Sequence, residues 1–207
     1  MLEQSERELE WDDDSERCFT IVQGLTPVQA LQVLVPDAVT DIAPAREVEH
    51  WLDAPWGLDE QVEYPEIAFA GTHEGWTWVF EPNGFAGSNF EPSTSTPVPS
   101  RYISVYWNIN AVMRFRYLVD GKLGRDFDPL FRADDGADNE LNGVDLDADL
   151  LVGEPVPEGD PLPQEDDIDW TEPRKASMSL LVNLSGVSWP STNDLVRSAT
   201  AAVGYTI

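Results

Sequence analysis

The residues that most often carry chemistry are few in this chain and poorly spaced for it. There are two histidines, His50 and His73, and one cysteine, Cys18, all far apart and with no His-x-x-x-His or Cys-x-x-Cys spacing. A structural zinc site needs four such ligands in close spacing, so none is expected. Cys18 stands in the apolar run Cys18–Val22 and reads as a small buried hydrophobe, since a reactive thiolate needs an exposed, electropositive setting. Ser88 follows Gly87, but there is no Gly-x-Ser-x-Gly elbow, no phosphate-binding Gly-x-x-x-x-Gly-Lys, and no histidine in sequence context to activate the hydroxyl. No catalytic residue and no cofactor is assigned.

Carboxylates offer more. Asp145, Asp147 and Asp149 imitate the start of a calcium loop, but the sixth position is Leu150 and the twelfth Val156 where a calcium hand needs Gly and Glu. The run Gly136–Gly143 is faintly like a calcium-binding β-roll repeat, which needs several copies to stack. No metal site is assigned, and the solvated acidic loop is the better reading. Asp126 and Asp128 alternate on one strand, close enough to couple as an acid/base pair. The commoner use of such a pair is to answer nearby arginines, and Arg114 is the expected partner. A ligand cleft, if there is one, would draw on Trp76, Trp78 and Tyr106 with the loop from Asn83 to Ser88.

The arginines lead to the charge balance. Arg114, Arg116 and Arg125 fall within one stretch, with Arg132 close by, while the chain has a net charge of −27. Residues 1–16 hold eight acids and one base; residues 133–173 hold fifteen acids and no base; the rest is nearly balanced at −5. A halophile surface would spread its acids over the whole body, and this chain concentrates them. Direct nucleic-acid binding is disfavoured by the sign of the charge. Arg114 and Arg116 could receive the acidic segment, through Asp134, Asp135, Asp145, Asp147 and Asp149, or an anionic partner. Ordinary local ion pairing is the simpler alternative and is worth little at a surface.

The elements that would position these residues centre on 101–128, which reads as a three-stranded meander. Ile103, Val105 and Trp107 alternate with Tyr102, Ser104 and Tyr106; Met113, Phe115, Tyr117 and Val119 alternate with Arg114 and Arg116. A turn at Asn108-Ile109-Asn110 sets Val105 opposite Met113 and Ile103 opposite Phe115. A two-residue loop at Asp120-Gly121 would set Arg116 against Arg125, an unfavourable like-charge pair. A three-residue loop of Val119, Asp120 and Gly121 instead sets Tyr117 against Leu123, Met113 against Phe127 and Arg114 against Asp126. The second register is expected. A further hairpin runs from Ile67 to Glu81 about His73-Glu74-Gly75, placing Ala70 against Trp78, Ala68 against Phe80 and Phe69 against Val79.

Cys18–Gln23 reads as a short buried strand. Thr26, Pro27 and Gln29 start a helix with a capping box, and Pro36 stops it. A second helix is expected over Pro44–Leu52, a third over Arg174–Leu184, and a last from Ser191, with Leu195, Val196, Ala199, Ala202 and Val203 as its stripe and Gly204 as its end. The fold class is α+β: an antiparallel β-sheet of about five to six strands, with two hairpins and a meander, and helices packed on one face. The organisation is an acidic arm (1–16), an α+β body (17–132), an acidic, proline-bearing mobile insert (133–173) and C-terminal helices completing the body (174–207). No window is apolar enough for a membrane span and the start is acidic, so a cytoplasmic location is the default.

With these motifs in order, the chain resembles an uncharacterised actinobacterial family, a domain of unknown function. The resemblance rests on Cys18–Pro27, Glu81–Ser88, Ser104–Ala111, Asp120-Gly121, Phe127–Leu130 and Leu184–Val187. It covers most of residues 18–204, with the acidic insert as the divergent part. It implies a shared fold and a bacterial cytoplasmic setting, and lends no activity. The function expected is that of a non-enzymatic acidic interaction protein, an immunity- or antitoxin-like binder of a basic protein partner. The alternative is a small-ligand-binding domain or weak hydrolase using the aromatic sheet and the Asn83–Ser88 loop.

Overall fold

The computed structural model describes residues 16–35, 42–45, 66–93, 96–108, 110, 112–129, 140–141, 144–145 and 171–205. The acidic arm up to residue 15, the helix expected over 44–52 beyond Ala45, and most of the acidic insert lie outside the described residues.

The elements are β1 (Arg17–Gln23), α1 (Pro27–Leu34), β2 (Glu66–His73), β3 (Trp76–Glu81), β4 (Arg101–Trp107), β5 (Met113–Val119), β6 (Lys122–Phe127), β7 (Glu140–Leu141), β8 (Val144–Asp145), α2 (Thr171–Ser185), α3 (Thr192–Ser198) and β9 (Ala201–Tyr205). Seven strands form one antiparallel sheet in the order β6-β5-β4-β1-β3-β2-β9, and β7 and β8 pair separately. The added strand is β9. Its residues were expected to continue the last helix, but α3 stops at Ser198 and Ala201–Tyr205 pairs with β2. Ala202 and Val203 point to opposite faces, and both are buried. A short apolar run such as this suits a helix stripe or a two-sided strand equally, and the open edge of β2 decides the matter.

The helices lie on both faces, where one face was expected. Phe19, Ile21, Phe69, Trp76, Trp78, Phe80, Ile103, Val105, Trp107, Phe115 and Tyr117 share a first face with Leu180, Leu181 and Leu184 of α2 and Leu195 and Val196 of α3. The opposite face takes Ala30, Leu31, Val33 and Leu34 of α1 against Val22, Ala68, Ala70, Val79, Ala201 and Val203. The capping box at the start of α1 is formed: Thr26 Oγ1 accepts from the Gln29 amide, and Gln29 Oε1 accepts from the Thr26 amide.

All three hairpin registers differ from expectation. β2 and β3 turn through Glu74 and Gly75, both at positive φ, so Phe69 pairs with Phe80 and Gly71 with Trp78. This two-residue turn brings Phe69 to the same face as Trp78 and Phe80, because a slip of one residue exchanges faces. A Cβ at Gly71 would sit 2.5 Å from the Trp78 ring, so glycine makes room for the indole. Between β4 and β5 the pairing moves by two residues, to Val105–Phe115 and Trp107–Met113, with faces unchanged. The longer loop is held by Asn108 Oδ1, which accepts from the amides of Asn110 and Val112 at 3.0 Å each.

At β5–β6 the turn is the two-residue Asp120-Gly121, both at positive φ, with Val119 opposite Lys122. The feared Arg116–Arg125 clash is avoided by an irregularity at Tyr117/Leu118. Leu118 faces Leu123, but Tyr117 faces Arg125, and the extra residue Gly124 lets Arg116 face Asp126. A bulge thus does what a longer loop was expected to do.

Candidate functional site

Polar side chains on the α1-bearing face gather toward the β6 side. Strand pairing sets them in two rows across the sheet. One runs Glu81 (β3), Cys18 (β1), Tyr106 (β4), Arg114 (β5); the next runs Val79, Thr20, Ser104, Arg116 and Asp126. Cys18, Thr20, Glu81, Ser104, Tyr102 and Arg116 are all buried. The cover over them is the loop from Pro82 to Glu91, with a single 3₁₀ turn at Gly87–Asn89.

Glu81 is the anchor of this loop. Its Oε1 accepts from the Gly87 amide at 2.8 Å, and its Oε2 accepts from the Ala86 amide at 2.9 Å and from the Tyr205 hydroxyl. Burial pushes the Glu81 carboxyl up, while Tyr205 and the two loop amides pull it back toward the charged form. The loop must come this close, which is why it carries glycines. A Cβ on Gly87 would strike Thr20 Oγ1 and stand 2.9 Å from Glu81 Oε1 and 3.1 Å from Cys18 Sγ; a Cβ on Gly84 would strike Tyr205 Oη.

Three further side chains hold the loop. The Tyr102 hydroxyl donates to the Gly87 carbonyl. Arg116 Nη1 donates to the carbonyls of Ser88 (3.2 Å) and Phe90 (2.6 Å), and Nη2 to Glu91 Oε1 at 3.0 Å. Arg116 Nε stands 3.1 Å from Asp126 Oδ2. Arg114 forms a bidentate pair with Asp126 at 2.8 and 2.7 Å and donates to Asn89 Oδ1 at 2.8 Å. Its partner Asp126 raises the affinity of the Arg114 guanidinium for its proton.

The thiol of Cys18 is fully buried, 3.4 Å from Ser104 Oγ and 3.7 Å from Thr20 Oγ1. Burial, with Glu81 beside it, pushes its ionisation well above the ordinary range, the reverse of a nucleophile's environment. Burial likewise raises Tyr102 and Tyr205, so both act as neutral hydroxyl donors.

A second carboxylate group lies at the same end of this face. Glu66 opens β2 opposite Tyr205 of β9, and Glu16 precedes β1. The Tyr106 hydroxyl donates to Glu16 Oε1 at 2.8 Å and accepts from Asn108 Nδ2 at 3.1 Å. Glu66 Oε2 is buried without a hydrogen-bond partner. Burial, then repulsion from Glu16 and Glu81, pushes the Glu66 carboxyl up to about 7.

The five ligand-site candidates are not gathered in one cleft. Trp76 and Trp78 belong to the first face, 2% and 0% exposed beneath the helices. Tyr106 and the Asn83–Ser88 loop lie on the other, where Phe85 packs edge-on against Tyr106 with centroids 6.1 Å apart. Ser88 is buried, its hydroxyl donating to the Phe85 carbonyl at 2.8 Å. Of the partner-site candidates, Arg114 and Arg116 lie side by side and bind Asp126 and the loop. Asp134, Asp135, Asp147 and Asp149 lie outside the described residues, and Asp145 is described only by its place in β8. Among the described residues no group of three His, Cys, Asp or Glu is arranged to hold a metal ion, and no helix is long and apolar enough to cross a membrane.

Sequence reasoning missed Glu81, Tyr205, Thr20 and Ser104 as one cluster. The signal was present in the parity of three strands. Cys18 and Thr20, Ser104 and Tyr106, and Arg114 and Arg116 all alternate with apolar residues, so any register of the right parity lines them up. Tyr205 could not be placed while its segment was read as the end of a helix.

No curated protein and no solved structure matches the chain. Residues 6–206 match the model of the Family of unknown function (DUF6461), and the chain belongs to that family.

Proposed function

We propose that the protein is a non-enzymatic interaction module that engages a basic protein partner by charge, an inhibitor of the immunity or antitoxin kind being its most concrete form. The observation that carries this reading is the way the sheet's arginines are answered. Arg114 and Arg116 are already paired with Asp126 and Glu91 inside the body. The fifteen acids of residues 133–173 are therefore not needed to neutralise that pair. A concentrated negative charge of this size steers and holds a positively charged surface, and repels nucleic acid. A cytoplasmic, actinobacterial setting belongs to the same reading.

The test is capture of partners from host lysate by the full chain and by a full-length variant with the acids of residues 134–172 changed to Asn and Gln. The expected result is a basic partner held by the native chain at low salt and lost at high salt, because screening removes such attraction beyond about 10 Å at 0.1 M salt. Capture by both forms, or at both salt concentrations, would refute the reading. A small molecule that raises the melting temperature independently of salt would favour a ligand-binding domain instead.

A further inference from the structure

The glutamates of the α1-bearing face have a consequence for the loop above them. Glu81 holds the loop by receiving the amides of Ala86 and Gly87, one on each oxygen, and its Oε2 also takes the Tyr205 hydroxyl. Only the anion can use all three donors without finding an acceptor for a proton of its own. Glu66 stands at the same end of the sheet, opposite Tyr205, with one oxygen buried and unpaired. Glu16 is held by Tyr106, and its negative charge adds to the repulsion felt by Glu66.

We propose that Glu66, set beside the Glu81–Tyr205 pair at this end of the sheet, is a proton-operated latch on the Pro82–Phe90 loop: the loop is held tightly when Glu66 is protonated and is loosened when it ionises. A proton shared between Glu66 and Glu81 resides on Glu66, because Glu81 has donors only its anion satisfies. Loss of that proton sets a second negative charge beside Glu81. The two anions repel, and the cheapest relief is for Glu81 to move away from Glu66 or take up a proton, either of which weakens its hold on the Ala86 and Gly87 amides.

The other groups around the pair do not remove the effect. From β1 comes Cys18, a neutral thiol; from β9, Tyr205; from β4, Tyr102 and Tyr106, all neutral donors. From β5 come Arg114 and Arg116, engaged by Asp126, Glu91 and the far end of the loop. Glu66 binds its proton more tightly in the fold, up to about 7, than its ordinary value of 4.5. Its protonated form therefore supports the native arrangement, and that support is lost as pH rises through about 7.

The experiment is hydrogen exchange by NMR on the full chain, following the amides of Ala86 and Gly87 from about pH 5.5 to about pH 8.5, corrected for the intrinsic pH dependence of exchange. A step down in protection is expected across the Glu66 midpoint, about tenfold for each pKa unit of coupling to Glu81. Glu66→Gln should abolish the step and keep protection at its low-pH level; Glu16→Gln should move the step to lower pH. A carboxyl-carbon titration of Glu66 in the native chain reads the same coupling without a variant. A step that persists in Glu66→Gln, flat protection in the native chain, or a Glu66 midpoint in the ordinary glutamate range would overturn the proposal.

Discussion

The two faces of the seven-stranded sheet are buried by opposite means. On the first face Trp78, Phe80, Phe19, Trp107 and Phe115 pack against leucines of α2 and α3, and stability comes from area removed from water. On the second face α1 covers only the alanine- and valine-lined part near β9, β2 and β3, while the part toward β6 is polar and is covered by a loop. There each buried group must find a partner, and Glu81, Tyr102, Tyr205 and Arg116 find theirs largely in backbone groups of the loop or in one another. The first face tolerates small shifts with graded cost. The second specifies one loop conformation, because a half-satisfied polar network is worse than none.

Substitutions should therefore differ in kind between the faces as well as in size. Trp78→Ala removes one of the two largest fully buried side chains of the first face, next to Gly71, which offers nothing to fill the space. A loss of about 3–5 kcal/mol is expected in denaturant unfolding, with every spectroscopic probe shifting together. A loss under about 1 kcal/mol would mean that this face is not the principal core.

Glu81→Ala should cost less overall and act locally. It leaves the Ala86 and Gly87 amides and the Tyr205 hydroxyl without an acceptor, each at about 1–3 kcal/mol, but also removes a carboxylate that is costly to bury. The net expectation is a loss of about 2–3 kcal/mol, with exchange at loop amides rising more than exchange in β4 or β1. Equal increases everywhere would show that loop and sheet open as one unit. Gly87→Ala sharpens the same contrast. Its methyl would strike Thr20 and crowd Glu81 and Cys18, so the loop must lift. About 1–2 kcal/mol is expected, since the displaced segment borders solvent and can yield. Chemical shifts should move across Pro82–Phe90 and at Glu81, while the Glu74-Gly75 turn of the β2–β3 hairpin remains unchanged.

The first face was the more legible in the sequence, for a physical reason. Ile103, Val105 and Trp107 set against Phe115 and Tyr117 announce a half-buried strand pair by alternation alone, and parity survives an error of two residues in register. Hairpin turns were less legible. Glu74-Gly75 and Asp120-Gly121 are both two-residue turns with positive φ at each position, but Glu74 is an uncommon residue there, and the bulge at Gly124 has no periodic signature. The loop-covered part of the second face was hardest to read. Its residues come from β1, β3, β4, β5 and β9, and what joins them is contact through the loop rather than any spacing. Glycines in the Asn83–Ser88 stretch signalled a tight loop, but not which side chains it would cover.

The smallest expected effect separates two neighbouring arginines. Arg116 is 2% exposed and bonds to the loop carbonyls, whereas the Arg114 side chain is 33% exposed and bonds to Asp126 and Asn89. Arg114→Gln should therefore cost no more than about 1 kcal/mol, and less at high salt, as partly exposed pairs do. Arg116→Gln leaves the Phe90 carbonyl and part of Asp126 poorly answered in a buried place, and its cost should change little with salt. The comparison is read as two urea midpoints at low and high salt. If Arg114→Gln proves the costlier change, or if Arg116→Gln loses its effect in salt, the arginine pair belongs to the charged surface. Only the opposite result assigns Arg116 to the framework that holds the loop over Glu81.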